Sequence, residues 1–341
     1  MYAGTHVTVM GLGLFGGGVG AARFFAENGA HVTVTDQRSE SALQESLDAL
    51  RGLPIRYVLG RHEPDDFRHA DIVVVNPGVR PHNPLVLMAR GAGVQIEREI
   101  NLLFKLTQRN PKIGITGSNG KSTTTALLGE MLKLHDSRTL VGGNLGGCLL
   151  GETRALAPGV PIVLELSSFM LDGMKELGQS PHVAVVTNLS ANHFDWHGSM
   201  EAYAAAKRNI LAFQTKDDVA VLNADDPALA GWEKLTPARA VRFSVRQEPD
   251  GDAAFLDGEK LVVRMGSVEE TVGLRQTLRL PGQHNAANAL AAAAAALACG
   301  VQPWQVAEAL LTFVGLPHRL EMVARGAQAV TYYNDSIATT P

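Results

Sequence analysis

The segment Gly114-Ile115-Thr116-Gly117-Ser118-Asn119-Gly120-Lys121-Ser122-Thr123 joins a short β-branched run to a helical stretch. Glycines there let the backbone approach an anion, a lysine reaches terminal phosphates, and the following hydroxyl offers an oxygen to Mg²⁺. The segment reads as a variant P-loop, because the strict pattern wants its first glycine at 115, where isoleucine stands. Downstream, Glu165 lies at the end of another apolar run. Such a glutamate is often a helix cap or a solvated charge; beside a P-loop it is a candidate oxygen ligand for Mg²⁺, opposite Ser122. A further cluster, Thr187 to Gly198, contains His193, and Lys207 comes ten residues after His197. His193 is expected to end a strand in the same sheet as Glu165 and is a candidate for a second metal position. Lys207, taken alone, reads as a solvated helix charge.

A second glycine turn, Gly11-Leu12-Gly13-Leu14-Phe15-Gly16, follows the first apolar run, and Asp36 ends the next one, 20 residues beyond Gly16. This is the dinucleotide fingerprint, in which the acidic residue binds a ribose hydroxyl. Three readings stand at this point: a nicotinamide dinucleotide, another nucleotide diphosphate, or a turn that merely packs a helix on a sheet. The next run leads into Asn76-Pro77-Gly78 and the half-domain ends near residue 96, without room for a second mononucleotide half. That favours one nucleoside and one diphosphate. Two such turns on separate sheets imply two phosphate-bearing ligands, each met by backbone N–H groups at a helix N-terminus.

The elements that must position these residues alternate between short β-branched runs and longer helical stretches, so the fold class is α/β with parallel sheets. Strands are expected at His6–Met10, His31–Thr35, Asp71–Val75, Lys112–Thr116, Ile162–Leu166, Val183–Thr187 and Val219–Leu222, and helices at Lys121–Leu134 and Glu201–Phe213. Alternation at Lys260–Arg264 and Thr277–Leu280 suggests a small antiparallel insertion, followed by an Ala-rich helix from Asn285 to Ala298 that stops at Gly300. At 341 residues the chain needs two or three domains. A net charge of −4, with no dense Lys/Arg block, argues against a nucleic-acid surface. Cys148 and Cys299 are too few for a disulfide scaffold or a thiolate metal site. The longest apolar run, Ala289 to Cys299, is far short of the roughly 20 residues of a membrane span, and no signal peptide is recognisable. A cytoplasmic protein without membrane partners is expected.

The order of motifs then carries a resemblance. It runs from the N-terminal glycine loop through Thr116–Thr123, Gly143-Asn144-Leu145-Gly146, Glu165–Phe169, Asn188–His197 and Lys207. It continues through Asn223-Ala224-Asp225-Asp226-Pro227, Gly282–Asn288 and Leu316-Pro317-His318-Arg319. This is similar to the Mur ligase family from end to end of the chain. The glycine loop and Asn334-Asp335-Ser336-Ile337-Ala338-Thr339 resemble the branch that adds D-glutamate. The resemblance implies a Rossmann-like domain over residues 1–96 that binds a UDP precursor, and a central ATP-binding domain with a P-loop-type, mostly parallel sheet over 97–315. Residues 316–341 would begin a C-terminal Rossmann-like domain, so a truncated and by itself inactive chain is expected.

Residue by residue, the resemblance implies UDP-substrate contacts from Leu14, Phe15, Asp36, Gln37, Arg38, Asn76, Pro77, Gly78 and Asn144. It implies ATP contacts from Gly117, Asn119, Gly120, Lys121, Ser122, Thr123, Asn285, Asn288, Arg319 and Asp335, and a D-glutamate contact from Thr339. Ser122, Glu165, His193 and a carbamylated Lys207 would serve two Mg²⁺ ions, with Lys121, Glu165, His193 and Lys207 forming the catalytic set. The partners implied are UDP-N-acetylmuramoyl-L-alanine, D-glutamate and ATP, acted on by a monomer. Three positions depart from the family pattern: Phe15, where a small or hydroxylated residue is usual, Asn192 for aspartate, and Ile337 for lysine. The competing readings are a nicotinamide oxidoreductase, which leaves Lys121 and Glu165 unexplained, and a non-catalytic nucleotide or UDP-sugar binder.

Overall fold

The computed structural model describes residues 2–13, 16–325 and 331–336. Packing divides them into two compact units. The first holds the chain up to Asn110 with Gly142–Gly159 and Ser168–Gly178; the second holds Pro111–Val141, Val160–Ser167 and the chain from Gln179 onward.

The first unit is built on strands β1 (His6–Met10), β2 (His31–Asp36), β3 (Ile55–Leu59), β4 (Ile72–Val75) and β5 (Gln95–Glu97), in the order β3-β2-β1-β4-β5. All four pairings are parallel. β4 is buried along its whole length, as a central strand covered on both faces must be. Helix Gly17–Glu27 turns Ala21, Ala22, Phe24 and Phe25 inward. Strand order reverses at β1, and in open parallel sheets the crevice at such a switch point is where ligands bind. β3 has no counterpart among the expected strands: its exposed Arg56 and Tyr57 break the apolar run that marks the others.

The second unit carries β6 (Lys112–Thr116), β7 (Leu140–Gly143), β8 (Ile162–Glu165), β9 (Val183–Val186), β10 (Val219–Asn223), β11 (Arg239–Ser244), β12 (Ala253–Asp257), β13 (Lys260–Met265) and β14 (Val268–Leu274). Their order is β14-β13-β12-β11-β10-β9-β6-β8-β7, so β6 is again a switch point. The pairings from β8 through β12 are parallel, and β12-β13-β14 form the antiparallel extension. The extension uses Val268–Leu274 and not Thr277–Leu280, where a 3₁₀ turn at Arg275–Thr277 intervenes. β14 is mostly exposed, so it shows little of the apolar alternation that marks a strand in sequence. The helix expected to reach Phe213 ends at Arg208, after which i→i+3 turns bury Ile210 and Leu211. β15 (Glu321–Arg325) and β16 (Thr331–Asn334) form a separate antiparallel pair.

Helix Gln283–Ala298 packs on helix Lys121–His135, and its alanines 291–296 are fully buried. Small side chains let this helix lie close to its neighbours and to the sheet. Among the described residues no helix is long and apolar enough to cross a membrane. Ala292→Leu should overpack this interface and lower stability by about 1–3 kcal/mol, read as a shift in the urea midpoint at unchanged slope.

Candidate active site

The carboxyl ends of the inner strands of the second sheet gather the reactive residues because these strands run in parallel and in register. Ile115 lies opposite Glu165 and Thr116 opposite Val186, so the segments leaving β6, β8 and β9 emerge side by side. The glycine loop then turns into helix Lys121–His135. Gly117 has φ 153° and a Cβ there would collide with Thr187 Oγ1; Gly120, the N-cap at φ 79°, is closed upon by the Asn288 amide. No acidic residue occupies the first turn, so the partial positive charge of the helix N-terminus is uncompensated. Lys121 folds back over the loop, its Nζ donating to the Ser118 carbonyl at 2.9 Å. Ser122 is buried and Thr123 half-buried behind it.

Lys207 is 1% exposed and Glu165 1%. The Lys207 Nζ donates to Gly117 O at 2.8 Å and Thr116 Oγ1 at 3.2 Å, and sits 4.7 Å from the Tyr203 ring centroid. Burial holds this amine well below the ordinary lysine range; the charge of Lys121 pushes the same way and Glu165 opposes. Lys121 is lowered by burial and by Arg319, again against Glu165. His193 is lowered by burial, then by Lys121 and Lys207, with Asp195 opposing. These mutual influences bring Lys121, Glu165, His193, Lys207 and Arg319 into one electrostatic neighbourhood.

His193 does not end a strand. β9 stops at Val186, and His193 caps the short helix Phe194–His197 in the left-handed region, φ 54°. A loop, not a sheet position, therefore delivers its ring toward the lysines. Asn285 and Asn288 lie in the first turns of the Ala-rich helix, both buried. Asn288 donates to Asn285 Oδ1 at 3.2 Å, and Asn285 donates to Pro281 O at 2.8 Å. Asp335 accepts the Leu320 N–H at 3.1 Å, next to Arg319 in sequence.

In the first unit the other glycine loop lies at the β1–β4 switch point. A Cβ on Gly11 or Gly13 would come within 2.9 Å of the Asn76 side chain, so Asn76 is seated directly on the loop. Gly78 N–H donates to Asn76 Oδ1 at 3.0 Å, which folds Asn76-Pro77-Gly78 into a turn. Asp36 is 5% exposed and braces the loop: Oδ2 accepts Leu12 N–H at 3.0 Å and Oδ1 accepts Arg38 N–H at 2.9 Å. Gln37, between them, is exposed. The loop bearing Asn144 returns to the same place, where Gly147 Cα would be 4.0 Å from a Cβ on Gly16.

The family model for the Mur ligase middle domain matches residues 115–296, and that for the Mur ligase MurD-like N-terminal domain matches residues 5–97. The chain belongs to the Mur ligase family. Within this family it is 45% identical to UDP-N-acetylmuramoylalanine--D-glutamate ligase of Roseiflexus sp. (strain RS-1), over 99% of this chain and 74% of that one. It is 40% identical to the protein of the same name from Symbiobacterium thermophilum, over 98% and 72%. Among solved Mur ligases, the UDP-N-acetylmuramate-alanine ligase MurC of Thermotoga maritima is similar at 25% identity and a TM-score of 0.57, covering 96% of this chain and 73% of that one. A Neisseria meningitides ligase that acts on UDP-N-acetylmuramate shares the fold at a TM-score of 0.66 and 19% identity, over 92% and 99%.

Leu14, Phe15 and Thr339, expected as Mur ligase substrate contacts, lie outside the described residues, as does Ile337. Sequence reasoning missed Tyr203, one turn before Lys207. Its hydroxyl is 3.1 Å from Ser118 Oγ and its ring meets His193, His197 and Lys207. The i, i+4 spacing to Lys207 was the available signal. It also missed Ser46, whose hydroxyl donates to Gly13 O at 3.0 Å from a distant helix. Asp36→Ala should leave the buried Leu12 N–H without its acceptor and cost about 1–3 kcal/mol by denaturant titration. Asp36→Asn, which keeps an acceptor oxygen, should cost less.

Proposed function

We propose that this chain is part of an ATP-dependent amide-bond ligase that adds D-glutamate to UDP-N-acetylmuramoyl-L-alanine in peptidoglycan precursor synthesis, and that residues 1–341 alone do not turn over. The observation that carries the chemistry is geometric: Lys121 and Lys207 both donate to carbonyls of a glycine loop at a helix N-terminus, Glu165 ends the strand paired with the one that leads into it, and the Tyr203 ring meets both Lys207 and His193. The names of the relatives at 40–45% identity supply the substrate reading. The first glycine loop, with Asp36, Gln37, Arg38, Asn76, Pro77, Gly78 and Asn144, would hold the UDP precursor. Gly117, Asn119, Gly120, Lys121, Ser122, Thr123, Asn285, Asn288, Arg319 and Asp335 would hold ATP.

The donor set fits magnesium. Among the described residues no group of three or more His, Cys, Asp or Glu could hold a metal unaided. Mg²⁺ is commonly bound by one or two carboxylates together with substrate phosphates. Ser122, Glu165, His193 and a carbamylated Lys207 would be its protein ligands, at two sites. When bound, Mg²⁺ would neutralise charge on the phosphoryl group.

The alanine carboxylate of the precursor attacks the γ-phosphorus of ATP, the bond to ADP breaks, and an acyl phosphate forms. The amine of D-glutamate then attacks the acyl carbon, expelling phosphate and losing a proton. Transfer of this kind depends on positioning and electrostatics, which is the task of Lys121 and the helix N-terminus. A coupled assay of phosphate release with ATP, precursor and D-glutamate tests the reading. Release without dependence on D-glutamate would reject it. In the full-length protein, Lys121→Ala and Glu165→Ala should each lower turnover by about 100-fold or more while retaining the native circular dichroism spectrum.

Lys207 suits carbamylation because burial favours its neutral amine, the form that adds CO₂ with loss of one proton. The sign follows: rising pH favours neutral amine and carbamate, whereas acid returns the amine to ammonium and releases CO₂. Activity should fall on acidification and on CO₂ removal, and bicarbonate should restore it at mildly alkaline pH. An unmodified lysine in a high-resolution map of active enzyme with bicarbonate present would contradict this assignment.

A further inference from the structure

We propose that Asn188 and Asp226 are positioning residues that hold the nucleotide loop in its binding shape before nucleotide arrives. The inference rests on the reading that this loop binds ATP.

Asn188 reads the loop through its main chain. Its Oδ1 accepts the Asn119 N–H at 2.8 Å, its Nδ2 donates to the Asn119 carbonyl at 2.9 Å, and its own carbonyl accepts the Ser118 N–H at 2.9 Å. Thr187 Oγ1 adds a second donor to Asn119 O at 2.6 Å. Ser190 completes the seam, its N–H donating to Ser118 Oγ at 2.8 Å and its carbonyl accepting from that hydroxyl at 2.9 Å. The N–H groups of Ser118 and Asn119 are thus already engaged. The donors left for an anion begin at the helix N-terminus, whose first N–H groups have no intrahelical acceptor. Asn188 therefore determines which part of the glycine loop meets phosphate.

Segment Thr187–Ser190 is held from its other side by the end of β10. Leu222 pairs with Val186, which sets Asn223 beside Thr187, and Asn223 Nδ2 donates to Thr187 O at 2.7 Å. Asp226 bridges two segments: Oδ2 accepts Leu189 N–H at 2.7 Å while Oδ1 caps the turn Pro227–Leu229 through Ala228 N–H at 2.9 Å. Asp226 thus acts on the loop only through Leu189 and Asn188. A loop fixed this way avoids an ordering cost on binding, and small displacements of bound reactants cost rate steeply.

The test uses the full-length protein, with phosphate-release kinetics and direct binding of a fluorescent ATP analogue. Asn188→Ala and Asp226→Leu should each raise the KM for ATP about tenfold, with a smaller loss of kcat and unchanged precursor affinity. Asp226→Asn keeps one of the two acceptor oxygens and sets its amide NH₂ against the other N–H, so it should fall between the unsubstituted protein and Asp226→Leu. Asn188→Asp keeps the acceptor for Asn119 N–H but sets an oxygen against the Asn119 carbonyl, so it should bind ATP as weakly as Asn188→Ala. This variant keeps the proposal testable if Asp226→Leu fails to fold. If Asp226→Leu, folded as judged by circular dichroism, bound ATP as tightly as the unsubstituted protein, the Leu189 bond would play no part in holding the loop and the proposal would fall. Equal losses of ATP and precursor affinity would also overturn it, by marking a general loss of structure. Failure of the unsubstituted protein to bind ATP would instead remove the underlying assignment of the loop, and this proposal with it.

Discussion

The Lys207 amine is carried into a space that water does not reach and is held there by the Gly117 carbonyl and Thr116 hydroxyl. Removing an ammonium from water is costly unless it is paired or neutralised. Here two lysine amines, Lys121 and Lys207, share the neighbourhood of one buried carboxylate, Glu165, and burial favours the neutral form of Lys207. Much of the second unit serves this arrangement. The parallel register of β6, β8 and β9 aligns the loops that carry the charges, and Tyr203 covers Lys207 from its own helix. Beside it, Lys121 and the N-terminus of its helix, whose first turn has no acidic residue, supply the positive character of the loop.

The two glycine loops solve the same problem in the same way. Each leaves the strand at which its sheet changes direction, and each is pressed by an asparagine amide from elsewhere in its unit: Asn76 on Gly11 and Gly13, Asn288 on Gly120. A side-chain amide carries both donor and acceptor at fixed geometry, so it can satisfy main-chain groups of a tight turn without introducing net charge. Carboxylates supply the other braces, Asp36 on Leu12 and Asp226 on Leu189.

The chain covers 74% and 72% of two relatives named for D-glutamate ligation. Within that span lie both glycine loops, the buried glutamate and the buried lysine. The positive charge of Arg319, in the last described part of the chain, adds to burial in lowering the pKa of Lys121.

Local sequence determined the parts whose physics is local. A β-branched run followed by closely spaced glycines can only be a strand entering a tight turn, so β1 and β6 with their loops were legible, as were helix Lys121–His135 and the Ala-rich helix. β3 and β14 were not, because exposed residues interrupt their patterns and only their sheet neighbours make them strands. The position of His193 was misread for a related reason: its left-handed backbone follows a loop whose residues Asn188, Leu189 and Ser190 are bonded to Asn119, Asp226 and Ser118, far away in sequence. Lys207 shows the division most clearly. On an isolated helix it would be a solvated charge, and only the packing of that helix against β6 and its loop takes it out of water and next to Glu165. Desolvation and long-range hydrogen bonds depend on which segments meet, and only the tertiary structure decides that.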